Sequence, residues 1–301
     1  MIGAGAALGS MLLVSSVYAG IGTAAGYDTY KSAIKNTAAV ANVTEKVSMS
    51  VVDNGKVLLQ VNSTVKSNKV TDTDSADITL QSGTTAQNLK VYNQNDTHIM
   101  KSGSSNVYKV FEMDQEHRDM MNKHRDQMEK HDPAMAEQVE NVIDALMGNL
   151  KNKVTLANNG ASKEVALNLT GSQIPAVVNA VGSVLVKEGA RDHAEEFDAH
   201  GADSIVIDVE TIKDSLPKLS DDIKIESVKL NAKVNADNRI TNQAAEIAIS
   251  GKDASGAAHK VVVKLNADLS AFNSTTPDTV DLTGKQVEKL SPSKHEWRSI
   301  V

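Results

Sequence analysis

The chain has no cysteine, and that one absence removes disulfides, thiolate catalysis, cysteine-ligated zinc, iron–sulfur clusters and acylation at a lipobox. Aromatic side chains are scarce, at 3%: Trp297, five Tyr and three Phe. A stacking platform for single-stranded nucleic acid needs more of them. Positive charge is also short, with 31 Lys and Arg against 38 Asp and Glu in 301 residues, a net charge of −7. Proteins that bind nucleic acid non-specifically displace counterions from phosphates with a basic surface, so nucleic acid is not an expected partner. No P-loop, G-x-S-x-G elbow or dinucleotide fingerprint falls in a strand–turn–helix context, and scattered Ser, His and Asp residues make no triad without geometry. The expectation is a protein that is not an enzyme and carries no cofactor. Apolar residues make up 41%, enough for a packed core.

Charge is missing altogether from Met1 to Tyr27; Asp28 is the first charged side chain. The run holds Leu12, Leu13, Val14, Val17 and Ile21 among many Ala and Gly. It is long enough to cross a bilayer as a helix of about 20 residues. Val17-Tyr18-Ala19 followed by Gly20 equally suits a signal-peptide cleavage site. Residues 1–26 therefore read as a signal peptide or a transmembrane anchor, and the expected location is extracytoplasmic, membrane-anchored or secreted. A Gly/Ala-rich buried helix is the blander reading, but each of six glycines disfavours a soluble helix by up to ~1 kcal/mol.

After a helix-like stretch from Tyr27 to Val40 the pattern turns to period two. Val43, Val47, Met49 and Val51 alternate with polar residues; Asp53-Asn54-Gly55 makes a turn; Val57, Leu59, Val61 and Val65 resume the alternation. Asn-Gly between alternating runs predicts a hairpin, because both turn positions need positive φ. Strands are expected around Asp77–Leu80, Leu89–Tyr92, His98–Met100 and Val107–Phe111, and two more on either side of Asn158-Asn159-Gly160. The middle reads as helical over Gln115–Leu150, and Gly171-Ser172-Gln173-Ile174-Pro175 opens a further helix with a stripe of Val177, Val178, Val181, Val184 and Leu185. The clearest β-region is C-terminal. Ile223, Ile225, Val228, Leu230, Ala232 and Val234 form a long strand with a one-residue slip near Ser227, which predicts a bulge. Strands through Ala245–Ile249 and Val261–Leu269 follow across short polar turns, completing an antiparallel meander. The tail from Asn273 is polar and reads as surface-lying or loose.

These features carry a resemblance. The export segment, the Tyr30-Lys31-Ser32-Ala33-Ile34-Lys35-Asn36-Thr37 helix leading into Val47-Ser48-Met49-Ser50-Val51, the central helices and the closing strands ending Leu269-Ser270-Ala271-Phe272-Asn273 resemble the LolA-like lipoprotein-carrier superfamily, with its LppX/LprG-type exported proteins. The resemblance implies an α+β fold in which a strongly curved antiparallel sheet, an unclosed half-barrel, wraps a few helices. It spans 27–273 as a single domain with a helical insert at 112–150, followed by a polar tail at 274–301. It also implies a non-catalytic binding protein of the cell envelope that carries a lipid or other apolar ligand between sheet and helices, with an envelope protein as an alternative partner and the membrane reached through the N-terminal segment. On that reading Val139, Ile143, Leu146, Val177, Val181, Leu230, Ile247 and Val263 line the cavity. Alternation alone leaves a filled core and a hollow one equally open, and small residues such as Ala232, Ala245 and Ala267 fit both.

One constellation stands apart. Residues 117–137 run through three heptads, each opening on a histidine: His117, His124 and His131. Seven residues are nearly two helical turns, so His117 and His124 would share a stripe with Met121 and Met128 beside them. Side chains three or four apart on a helix are neighbours, so His117/Met120, Met121/His124 and Met128/His131 are pairs that one ion could bridge. Imidazole with thioether suits Cu(I) or Ag(I). The competing reading is Met packed in a core beside a solvated charged face, and Pro133 interrupts the third heptad. His193 and His200 are also seven apart, among Glu195, Glu196 and Asp198, but they do not make the H-E-x-x-H zinc pattern and read as an exposed acidic loop.

Overall fold

The computed structural model describes residues 24–112, 148–176, 178–180, 183, 186 and 216–290. One helix, α1 (Ala25–Ala38), precedes a run of strands: β1 (Asn42–Asp53), β2 (Lys56–Asn68), β3 (Thr73–Ser82), β4 (Thr85–Gln94), β5 (Thr97–Ser102) and β6 (Val107–Glu112). Next come β7 (Thr155–Asn159), β8 (Ser162–Thr170), β9 (Leu219–Val234), β10 (Ile240–Asp253), β11 (Ala258–Ser270) and β12 (Gln286–Leu290). All twelve strands join one curved, unclosed sheet in the order β12-β6-β5-β4-β3-β2-β1-β11-β10-β9-β8-β7. Every pairing is antiparallel except β12 with β6. Residues 1–23, 113–147 and 291–301, which hold most of the expected N-terminal segment, helical insert and tail end, lie outside the described residues.

The sheet is built from local turn chemistry. Asn54 and Gly55 take φ of 48° and 83° and close the β1–β2 hairpin as their sequence demands. The β9–β10 register jumps from Ser227 opposite Ala248 to Ile225 opposite Ile249, so Glu226 bulges where the sequence slips phase. The freed amide of Ile225 donates to Asn179 Oδ1 at 2.8 Å, which ties the helical residues after Pro175 to the bulge.

α1 packs on what we term the inner face. Ala33 and Ile34 bury against Val43, Val234, Ile240, Ala267 and Leu269. Thr37 Oγ1 donates to Ala33 O at 2.7 Å and accepts from the Ile240 amide at 2.8 Å, tying the helix to the start of β10. The first turn of α1 sits so close to the chain before β7 that a Cβ at Gly26 would stand 2.5 Å from Val154 O. Two further inner-face clusters follow. Leu167, Leu169 and Ile225 pack with Leu150 and Ile174, and Val51, Leu59, Leu80 and Val261 pack with Leu219 beside Val186 and Leu216.

The outer face is polar over the centre of the sheet, where Glu246 on β10 takes Lys229 from β9 at 2.9 Å and Lys264 from β11 at 3.7 Å. Toward the other end the polar stretch after Asn273 covers it. Residues 273–285 cross the outer face as a strap: Asn273 and Thr275 bond to Asn42, Asp278 to Lys66 and Ser75, and Val280 to both ends of the Gln94 amide. Val280 and Leu282 thereby cover Ile99, Val110 and Tyr92. The strap ends in β12, which pairs Gln286–Leu290 with Val107–Phe111. Among the described residues no helix is long and apolar enough to cross a membrane.

Candidate functional site

Strand register sorts the inner face into rows, because residues opposite each other point to the same side. Two adjacent rows are apolar from end to end. One runs Leu80, Val61, Met49, Leu265, Ala245, Leu230, Leu167 across β3, β2, β1, β11, β10, β9 and β8; the next runs Leu59, Val51, Val263, Ile247, Val228, Leu169. At their centre Ile247 is 37% exposed, flanked by the half-buried Val263 and Leu230. Met49, Val61, Leu265, Ala245 and Val228 in the same rows are also only half-buried, so the rows form a contiguous, partly open apolar surface.

Toward α1 single polar residues enter rows that stay mostly apolar. Gln243 is buried and accepts a 3.0 Å hydrogen bond from the Tyr30 hydroxyl, whose pKa burial pushes up to about 12 against the pull of that bond. In the β1 phase Val43-x-Val47-x-Met49-x-Val51, position 45 falls between Val43 and Val47 and holds a glutamate. Glu45 stands opposite Val65 on β2 and Leu269 on β11, is 1% exposed, and neither carboxylate oxygen has a hydrogen-bond partner among the described residues. Burial pushes its pKa up to about 7, with the Lys69 charge pulling the other way.

The next row out, beginning at Val43, continues as Ser67, Asp74, Asn93 and His98 on β2 to β5. Ser67 is buried, and Asn93 Nδ2 donates to Asp74 Oδ2 at 3.4 Å. Burial raises the Asp74 carboxyl above its usual range, against the Asn93 bond, and burial lowers the His98 imidazole to about 4, leaving it neutral at pH 7. The inner face thus carries a polar strip on β2 to β5 and a lone carboxylate, Glu45, beside the apolar cluster under α1.

Of the residues expected to line a cavity, the structure brings three together. Ile247 and Val263 are directly opposed, and Leu230 sits one row away across β9. Val139, Ile143, Leu146, Val177 and Val181 lie outside the described residues. So do the metal candidates His117, Met120, Met121, His124, Met128 and His131; among the described residues no group of three or more His, Asp or Glu could hold a metal ion. Ala232 and Ala267 are fully buried, Ala267 beneath α1, which assigns them to close packing; Ala245 is half-buried in the apolar row. The reading of β1 from its valines passed over Glu45. The available signal was a charged residue in the inward phase of an alternating run. His98 and Asp74 carried no such signal, since their row exists only once five strands are registered.

The fold and this face define a sheet-dominated protein with an unclosed, curved, twelve-stranded sheet and one partly apolar face. No family model matches the chain, and no curated protein matches it. Among solved structures it is similar to the bifunctional dehydratase-cyclase domain of ambruticin biosynthesis, at 14% identity over 81% of this chain and 79% of that one. The TM-score of that pair is 0.13, and the likeness carries no argument about fold or function.

Proposed function

We propose that this is a non-catalytic extracytoplasmic binding protein of the cell envelope, which holds a lipid or other apolar ligand between the inner face of the sheet and its helices, as the LolA-like resemblance implies. The observation that supports this most directly is the pair of apolar rows with Ile247 open at their centre. Pockets for apolar ligands are lined by apolar side chains with a few placed polar groups, and the face supplies residues of both kinds. The uncharged N-terminal run supports the extracytoplasmic location through either a cleaved signal or a retained anchor.

Native purification followed by organic extraction and mass spectrometry tests the reading. A co-purifying lipid is expected from the wild type and not from Ile247→Lys, which places an ammonium among the apolar rows at a position exposed enough to spare the fold. Absence of lipid from folded wild-type protein would count against carriage. A second reading, soft-metal binding, rests on the His and Met heptads of 117–131.

A further inference from the structure

We propose that Glu45 is the anchor for a cationic headgroup, a primary ammonium borne on an apolar chain, with the chain laid along the two apolar rows. The inference rests on the apolar-ligand reading and specifies the chemistry of the ligand's other end.

Glu45 is buried to 1% with both carboxylate oxygens unbonded among the described residues, although a buried acceptor without a donor costs free energy. Lys69 acts on Glu45 through its charge, while its ammonium donates to the Ala38 carbonyl at 2.5 Å. A valine at position 45 would have continued the inward run of β1. The carboxylate therefore interrupts the packing pattern and gains no hydrogen bond among the described residues from doing so, as expected of a group whose partner arrives from outside.

The sign of that partner follows from the neighbours. Beside Glu45 the polar row offers the Ser67 hydroxyl, the Asp74 carboxyl, the Asn93 amide and an imidazole, His98, that burial keeps neutral. Lys69 flanks Glu45 from the β2–β3 turn, and Lys109, the cation in the Glu45 row, stands on β6, five strands away. Met49 lies four residue steps from Glu45 on β1 and Val51 six, spans of roughly 13 and 20 Å along the strand. With the charge at Glu45 a decyl chain thus reaches the Met49 row, and a longer chain the Val51 row.

Isothermal titration with decylammonium, decanoate and 1-decanol, each below its aggregation concentration, tests the assignment. At pH 8 the wild type is expected to bind decylammonium roughly tenfold or more tightly than decanoate, the scale of one charged hydrogen bond. Between pH 6 and pH 8 the decylammonium affinity rises as Glu45 ionises. In Glu45→Gln both the preference and the pH dependence disappear while decanol binding persists. Equal affinity for the two ions in the wild type, which needs no variant, overturns the proposal and leaves apolar binding standing; so does a preference that survives Glu45→Gln. If none of the three probes binds, the apolar-ligand reading falls as well.

Discussion

Nδ1 of His259 on β11 lies 2.8 Å from Oδ2 of Asp53 at the end of β1, while its Nε2 lies 3.4 Å from Oδ2 of Asp253 at the end of β10. One imidazole thereby joins three strand ends. The Asn54 side chain reinforces the junction, donating to Ala258 O at 3.1 Å and accepting from the Lys260 amide at 3.0 Å. The bond to Asp53 holds the His259 pKa above its usual 6.5, and the Ser255 hydroxyl leads the causes that pull Asp253 down to about 2.

The clasp makes stability depend on pH in a defined direction. His259 is charged more readily folded than unfolded, so its contribution is fully present below about pH 6.5 and is lost as pH rises through the raised folded value. Asp253 behaves oppositely, contributing above about pH 4 and losing its share as pH falls toward 2. Thermal melts should show His259→Gln costing more stability at pH 5.5 than at pH 9. A loss of equal size at both pH values would show that charge at this imidazole is irrelevant.

Glu45 should give a slope of the same sign as His259, in a lower pH window. Its pKa rises from 4.5 to about 7 on folding, so the native state holds a proton that the unfolded chain releases, and stability falls as pH climbs from about 4.5 to 7. Glu45→Gln, which is neutral throughout, is expected to gain on the wild type by up to about 3 kcal/mol above pH 7 and by little at pH 4. Denaturant titrations at pH 4.5 and 8 read this directly, and a gap that does not widen with pH would contradict it.

At the β9 bulge the amide of Ile225 depends on Asn179. Asn179→Ala leaves a half-buried donor unsatisfied, at a cost of about 1–3 kcal/mol. Hydrogen exchange at Ile225 should accelerate and the melting midpoint should fall. Exchange at the wild-type rate would mean that the helical residues after Pro175 are held by apolar contacts alone.

The His/Met heptads make a separate prediction. Anaerobic Cu(I) titration should show binding that weakens when Met121 and His124 are replaced together, since residues three apart would be neighbours if the segment is helical. Affinity that stays the same in the double variant would end the soft-metal reading.

Much of this sheet was legible residue by residue. Asn54-Gly55 demands its own backbone conformation, and the phase slip before Val228 announces the bulge at Glu226, because both are properties of a few adjacent residues. β12 was not legible. Gln286–Leu290 is a polar stretch whose partner, β6, lies almost two hundred residues earlier, and its parallel pairing depends on a strap anchored by Asn42, Ser75 and Gln94.

What the sequence determined by itself is the alternation: where β1, β2 and the C-terminal meander run and turn, and that each of these strands has one apolar side. Period two follows from backbone geometry and needs no neighbour. Only the tertiary structure decided which inward residues share a row. Glu45 beside the buried Ser67, and Asp74 bonded to Asn93 next to His98, become one polar strip because antiparallel register sets five strands side by side. Register fixes contacts between residues far apart in the chain, and the desolvation that pushes Glu45 up and His98 down arises only when those contacts close.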